Sequence, residues 1–111
     1  MLRFVDIDQA YPDKRSERER RQDFNEIYRG FSTEAAADQA SRCSQCGVPF
    51  CQSGCPLQNN IPDWLMLAGE DRLREAYDAS AATSTMPEIC GRICPQDRLC
   101  EGSCVVEKSK H

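Results

Sequence analysis

Residues 42–56 read RCSQCGVPFCQSGCP, and residues 90–104 read CGRICPQDRLCEGSC. Together they hold all eight cysteines of a 111-residue chain. The spacings are Cys43-x2-Cys46-x4-Cys51-x3-Cys55-Pro56 and Cys90-x3-Cys94-Pro95-x4-Cys100-x3-Cys104. Each clump has four thiols and a proline directly after one of them. Eight thiolates are the number required by two cubane iron–sulfur clusters that take four each.

The spacing suggests how the thiols would be shared. Cys43-x2-Cys46 lets two ligands reach one cluster from a tight turn, and Cys51 wraps the loop around it. In bacterial two-cluster ferredoxins the cysteine before proline serves the other cluster, and Cys55-Pro56 has that character. Cys51/Cys55, Cys90/Cys94 and Cys100/Cys104 each stand one helical step apart, so ligands are expected to interlace between the clumps. Gly47, Gly54, Gly91 and Gly102 are expected to let backbone approach sulfur closely. Val48, Phe50, Leu57, Ile89, Ile93 and Leu99 are expected to exclude water.

Working outward, the bulk composition narrows the class. A chain of 111 residues is one domain or part of one, and its limited core would gain from a metal staple. A net charge of −4 lacks the basic footprint of a nucleic-acid binder. No apolar run is long enough to span a membrane, and MLRFVDIDQAYPDK lacks the pattern of a secretory signal. The expected compartment is therefore the reducing cytoplasm, where disulfides are rare. Zinc on two four-thiolate sites is the strongest rival to iron, although there is only one Cys-x2-Cys and the other spacings are irregular. A disulfide framework and a thioredoxin-like Cys43-Ser44-Gln45-Cys46 pair fit less well. His111 reads as incidental.

The rest of the chain predicts helices. Ser16-x-x-Glu19 is a capping box, and Phe24, Ile27 and Tyr28 would share the inner face of a helix that stops at Gly30. The charged run Lys14, Arg15, Arg18, Arg20 and Arg21, interleaved with Glu17 and Glu19, reads as a solvated helix face. A second helix is expected from Thr33 to about Arg42, capped by Ser32. Residues 43–56 should be a wrapped loop with at most short turns. Pro62 marks a helix start with Trp64, Leu65 and Leu67 buried. Residues 70–80 form another helix, with Leu73, Ala76 and Tyr77 inward. Residues 83–85 are a linker, and short turns near 87–91 and 97–102 carry the last cysteines. No segment alternates like a strand, so the expected class is all-α.

From Arg42 to Val106 the chain resembles the N-terminal iron–sulfur domain of the glutamate synthase small (beta) subunit. The resemblance is carried by RCSQCGVPFCQSGCPLQNNIPDWL and MPEICGRICPQDRLCEGSCV, and upstream by Pro12, Arg15, Glu19, Arg20, Asp23, Phe24 and Tyr28. The dihydropyrimidine dehydrogenase N-terminal domain is similar too. This resemblance implies an α-helical ferredoxin-like domain with two [4Fe–4S] clusters, with residues 1–111 as the N-terminal part of a longer flavin-linked subunit. It implies FAD and NAD(P)H in a following domain of the same polypeptide, and a larger glutamate synthase partner subunit. By resemblance, Cys43, Cys46, Cys51 and Cys104 hold one cluster and Cys55, Cys94 and Cys100 the other. The family's last ligand is often a Glu or Gln beyond Cys104, and Cys90 is this chain's departure from the pattern.

No Gly-x-Gly-x-x-Gly occurs, and Asp63, Glu70 and Asp71 read as caps and surface charges. The chain alone is therefore not expected to catalyse bond chemistry. The expected function is electron transfer within an NAD(P)H-dependent glutamate synthase-like oxidoreductase. The alternative is an interaction module in which zinc or iron–sulfur only supports folding.

Overall fold

The computed structural model describes residues 3–109. His111 lies outside them. Among the described residues the chain is helical, with an isolated antiparallel bridge between Lys14 and Tyr28 and no extended strand. The helices are α1 (Glu17–Arg20), α2 (Thr33–Ala40), α3 (Phe50–Gly54), α4 (Ile61–Gly69), α5 (Leu73–Ala81), α6 (Pro87–Ile93) and α7 (Val105–Ser109). Short 3₁₀ turns cover Arg3–Val5 and Gln96–Arg98.

Local chemistry explains most helix starts. The Ser16 hydroxyl accepts from the Glu19 N–H and the Glu19 carboxylate accepts from the Ser16 N–H, which is the expected capping box. Ser32 caps α2 by accepting from Ala35 N–H at 3.2 Å. Pro62 lies in the first turn of α4, where its missing N–H costs nothing.

The lead-in departs from the expected helix. α1 stops at Arg20, Phe24 is fully exposed, and Ile27 and Tyr28 are also exposed rather than buried on a helix face. The Arg15 guanidinium donates to both Asp23 carboxylate oxygens, at 2.9 and 2.6 Å, and to the Glu26 carbonyl at 3.1 Å. Asp23 also accepts from Asn25 N–H at 2.9 Å. This fork folds residues 13–29 back on themselves, with Arg15 N–H donating to the Ile27 carbonyl and Arg29 N–H to the Asp13 carbonyl. A planar, bidentate ion pair has outweighed a helical pattern of only moderate strength. The charged run is thus partly structural.

α4 packs against both α2 and α5, and α3 touches α4. The core is sparse: Ala40, Ala76 and Val106 are its buried hydrophobic residues, joined by Pro62. Trp64, Leu65 and Leu67 are half-buried, while Leu73 and Tyr77, expected inward, are exposed. The radius of gyration is 14.7 Å, against about 13 Å for a compact chain of this length. α5 packs on α4 mainly through small side chains: Ala76 is buried, and Ala79, Ser80 and Ala81 are half-buried. Among the described residues, no helix is long and apolar enough to cross a membrane.

Candidate metal centre

The eight cysteines are free thiols and all are half-buried. Cys43 follows α2, its N–H donating to the Ala40 carbonyl at 3.2 Å. Cys46 follows Gln45, whose φ of 52° turns the chain sharply within the Cys43–Cys46 segment. Cys51 is on α3 and Cys55 ends it, so the expected helical step between them is present. Cys90 is on α6 and Cys94 ends that helix, its N–H donating to the Cys90 carbonyl. Cys100 and Cys104 are joined by turns rather than a helix, with Cys104 N–H donating to the Glu101 carbonyl at 2.9 Å.

Electrostatics group the thiols across the chain. Burial pushes the Cys51 thiol up, and nearby Cys104, Cys43 and Cys100 push it further, against a hydrogen bond from Gln52 N–H that favours the thiolate. The Cys94 thiol is raised by burial and by Cys90, with which it shares a hydrogen bond, then by Cys100 and Cys55. Cys100 is raised chiefly by burial, with Cys55 and the Glu101 carboxylate adding to it, while backbone N–H groups of Glu101 and Cys100 pull the other way. Cys51 therefore has Cys43 from its own clump and both Cys104 and Cys100 from the other as neighbours. Cys94 and Cys100 stand with Cys90 from their own clump and Cys55 from the other.

The clumps meet through backbone. A Cβ on Gly54 would lie 2.5 Å from Ser103 Oγ and 2.9 Å from the Leu99 carbonyl oxygen. Within the second clump, a Cβ on Gly102 would overlap the Asp97 carbonyl. Only glycine admits these approaches. The glycines differ from the expected approach to sulfur: the atoms nearest Gly54 and Gly102 are oxygens and carbons, and a Cβ on Gly47 or Gly91 meets nothing within 4 Å. Val48, Phe50, Leu57, Ile89 and Ile93 are also exposed rather than sealing the thiols from water; Leu99 alone of that set is half-buried.

Polar residues that spacing does not single out hold the loops. Asn59 donates from Nδ2 to the Ser80 carbonyl and to Thr83 Oγ1, both at 2.8 Å, and accepts from the Trp64 indole N–H at 2.9 Å. It ties the exit of the first clump to the end of α5. Gln45 Nε2 donates to Cys43 Sγ at 3.3 Å, and Ser44 Oγ lies 3.1 Å from Cys46 Sγ. Ser84, itself buried, lies 3.6 Å from Cys90 Sγ. The only available signal was a polar pair between the closest two cysteines. Asp63, Glu70 and Asp71 are surface groups: Asp63 accepts from the Asn60 amide and Glu70 pairs with Arg72.

The donor set fits a thiolate-bound cluster. Eight half-buried thiols are free, Cys51, Cys94 and Cys100 each have thiol neighbours from the other clump, backbone N–H groups reach the sulfurs of Cys51 and Cys100, and glycines admit the close loop approaches. The raised thiols keep their protons until a cation displaces them, so metal binding here would release protons. Among the described residues, no three His, Cys, Asp or Glu side chains close on a point that one metal ion could occupy.

Known proteins point the same way. Residues 20–111 match the family model described as dihydropyrimidine dehydrogenase domain II, 4Fe–4S cluster. The chain is 68% identical over 111 residues to the glutamate synthase [NADPH] small chain of Azospirillum brasilense. It is 50% identical over 106 residues to the Escherichia coli K12 protein of that name, and 39% over 112 to the Bacillus subtilis one. These alignments cover 100%, 96% and 93% of this chain but only 23%, 22% and 22% of the relatives. Helices, paired cysteine clumps and whole-length similarity agree: the chain belongs to the dihydropyrimidine dehydrogenase domain II family of 4Fe–4S domains, and it is similar to a part of glutamate synthase [NADPH] small chains.

Proposed function

We propose that this domain carries two [4Fe–4S] clusters and passes electrons between a flavin and a partner subunit. One cluster is held by Cys43, Cys46, Cys51 and Cys104. The other is held by Cys55, Cys94 and Cys100, with Cys90, a neighbour of Cys94, as the thiol left for the remaining place. The observation that carries this reading is the exchange of thiols between clumps, with Cys104 beside Cys51 and Cys55 beside Cys94.

A [4Fe–4S] cluster bound by four thiolates takes up and releases single electrons at potentials set by its surroundings. The chain's own residues would orient the thiolates, donate N–H groups to sulfur and keep the two clumps adjacent through the Gly54 crossing. Thiolates on a cubane bind different irons and stand farther apart than four ligands at about 2.3 Å from one zinc.

The chain spans less than a quarter of these relatives, and the remaining roles are part of the proposal, resting on the family resemblance. Electrons enter from a flavin reduced by NAD(P)H in a domain of the same polypeptide, in the cytoplasm, and leave to a glutamate synthase large subunit. The whole enzyme converts 2-oxoglutarate and glutamine-derived ammonia to glutamate.

The test is anaerobic purification followed by iron analysis and EPR. The expected result is a brown protein with roughly eight irons and two signals on dithionite reduction. Colourless protein with stoichiometric zinc after iron–sulfur reconstitution would overturn it. The sparse core keeps a second reading alive, in which metal only staples the fold. A cluster that dithionite cannot reduce would favour that reading.

A further inference from the structure

The Cys43–Cys46 turn differs from the other cysteine segments in aiming two neutral side-chain donors at sulfur. Gln45 Nε2 donates to Cys43 Sγ at 3.3 Å and to the Pro62 carbonyl at 2.7 Å. Pro62 is buried in the first turn of α4, so the amide is anchored to a fixed point. The Gln45 backbone is left-handed, with φ of 52°, a conformation a glutamine holds only when its surroundings impose it. Ser44 Oγ lies 3.1 Å from Cys46 Sγ. A thiolate has no proton to give, so toward a metal-bound Cys46 the hydroxyl is the donor. Among the described residues, the second group has weaker counterparts. Ser84 reaches Cys90 at 3.6 Å, Cys94 meets the Cys90 thiol, and Cys100 takes backbone N–H groups.

We propose that Gln45 and Ser44 are positioning residues that raise the reduction potential of the cluster on Cys43, Cys46, Cys51 and Cys104 above that of its neighbour. The inference rests on the two-cluster reading. One-electron reduction adds a negative charge that is shared with the ligand sulfurs. An N–H or O–H dipole pointed at those sulfurs stabilises the reduced state more than the oxidised one, and hydrogen bonds to sulfur are an established lever on cluster potential. Both donors sit on one turn, so the effect is confined to one cluster. The domain would then have a built-in downhill direction, from the cluster on Cys55, Cys94 and Cys100 to the other.

The experiment is an EPR-monitored redox titration of the full chain, purified anaerobically with its clusters, using dithionite as reductant. Gln45→Gly keeps the left-handed backbone without strain and deletes the amide, and Ser44→Ala deletes the hydroxyl. Each is expected to move one signal, the one lost in Cys43→Ser, to a more negative midpoint, with the other signal unmoved and iron content unchanged. Ser44→Thr keeps a hydroxyl and should restore the wild-type midpoint. The inference is overturned if both deletions keep their iron and the wild-type midpoints, or if both signals shift alike. If Gln45→Gly loses iron, Ser44→Ala decides the matter by the same criteria. An unmutated chain with fewer than two signals would refute the two-cluster reading itself, and the inference with it.

Discussion

The lead-in of residues 13–29 and the cysteine half of residues 43–104 are held together by different forces. The lead-in is a charged, exposed loop closed by the Arg15–Asp23 fork and by Arg29–Glu19 and Arg92–Glu26 pairs. The cysteine half has a few small buried side chains, glycines at loop crossings and eight thiols. One region answers to protons and salt, the other to metal. The difference shows where a small helical domain with little core puts its stability: into specific contacts rather than apolar bulk.

The largest expected effect separates the two directly. Removing iron from the loaded protein with a chelator and oxidant should strip amide hydrogen-exchange protection from residues 43–104, because metal-binding energy is folding energy in such sites. The Asp23 carboxyl should still titrate well below the usual range. If protection in the cysteine half survives iron loss, its stability does not depend on metal.

A smaller effect probes the meeting of the clumps. Gly54→Ala forces a methyl against Ser103 and the Leu99 carbonyl and should destabilise by about 2 kcal/mol, as overpacking does. Adding Ser103→Gly should recover part of the loss in chemical denaturation. Smaller again is Asn59→Ala, which leaves the Trp64 indole N–H to water and should cost about 1 kcal/mol, read from the same denaturation curves.

The smallest effect belongs to the lead-in. Arg15 and the Asn25 N–H hold Asp23 down to about 2, below the roughly 3.9 of a free aspartate. A depressed carboxylate contributes stability that is present above about pH 4 and lost as pH falls toward 2. NMR titration should find Asp23 near 2 in the native chain and raised part of the way to the free value in Arg15→Ala, where the Asn25 N–H still donates to it. An unchanged value would mean the fork does not form in solution.

Sequence reading succeeded where the cause is local. Ser16, Ser32 and Pro62 start helices through atoms within one turn, so α1, α2 and α4 begin where expected. It failed where the cause is distant. The Arg15 fork reaches Asp23 and cancels a helical stripe, leaving Phe24 in water. α7 is too short to carry a period. Gln45 is informative only once α4 brings the Pro62 carbonyl to it. The cysteine spacing suggested the interlacing because an i, i+4 step on a helix implies two neighbouring positions, but the donors around sulfur came only with the fold.

The interlacing is tested most directly by comparing EPR spectra of Cys43→Ser, Cys100→Ser and Cys104→Ser, each reduced with dithionite after anaerobic purification. Cys104→Ser should lose roughly four of eight irons and the same signal as Cys43→Ser, its partner in the other clump, while keeping the signal that Cys100→Ser loses. If Cys104→Ser instead removes the Cys100→Ser signal and leaves that of Cys43→Ser intact, each clump binds its own cluster and the account is wrong.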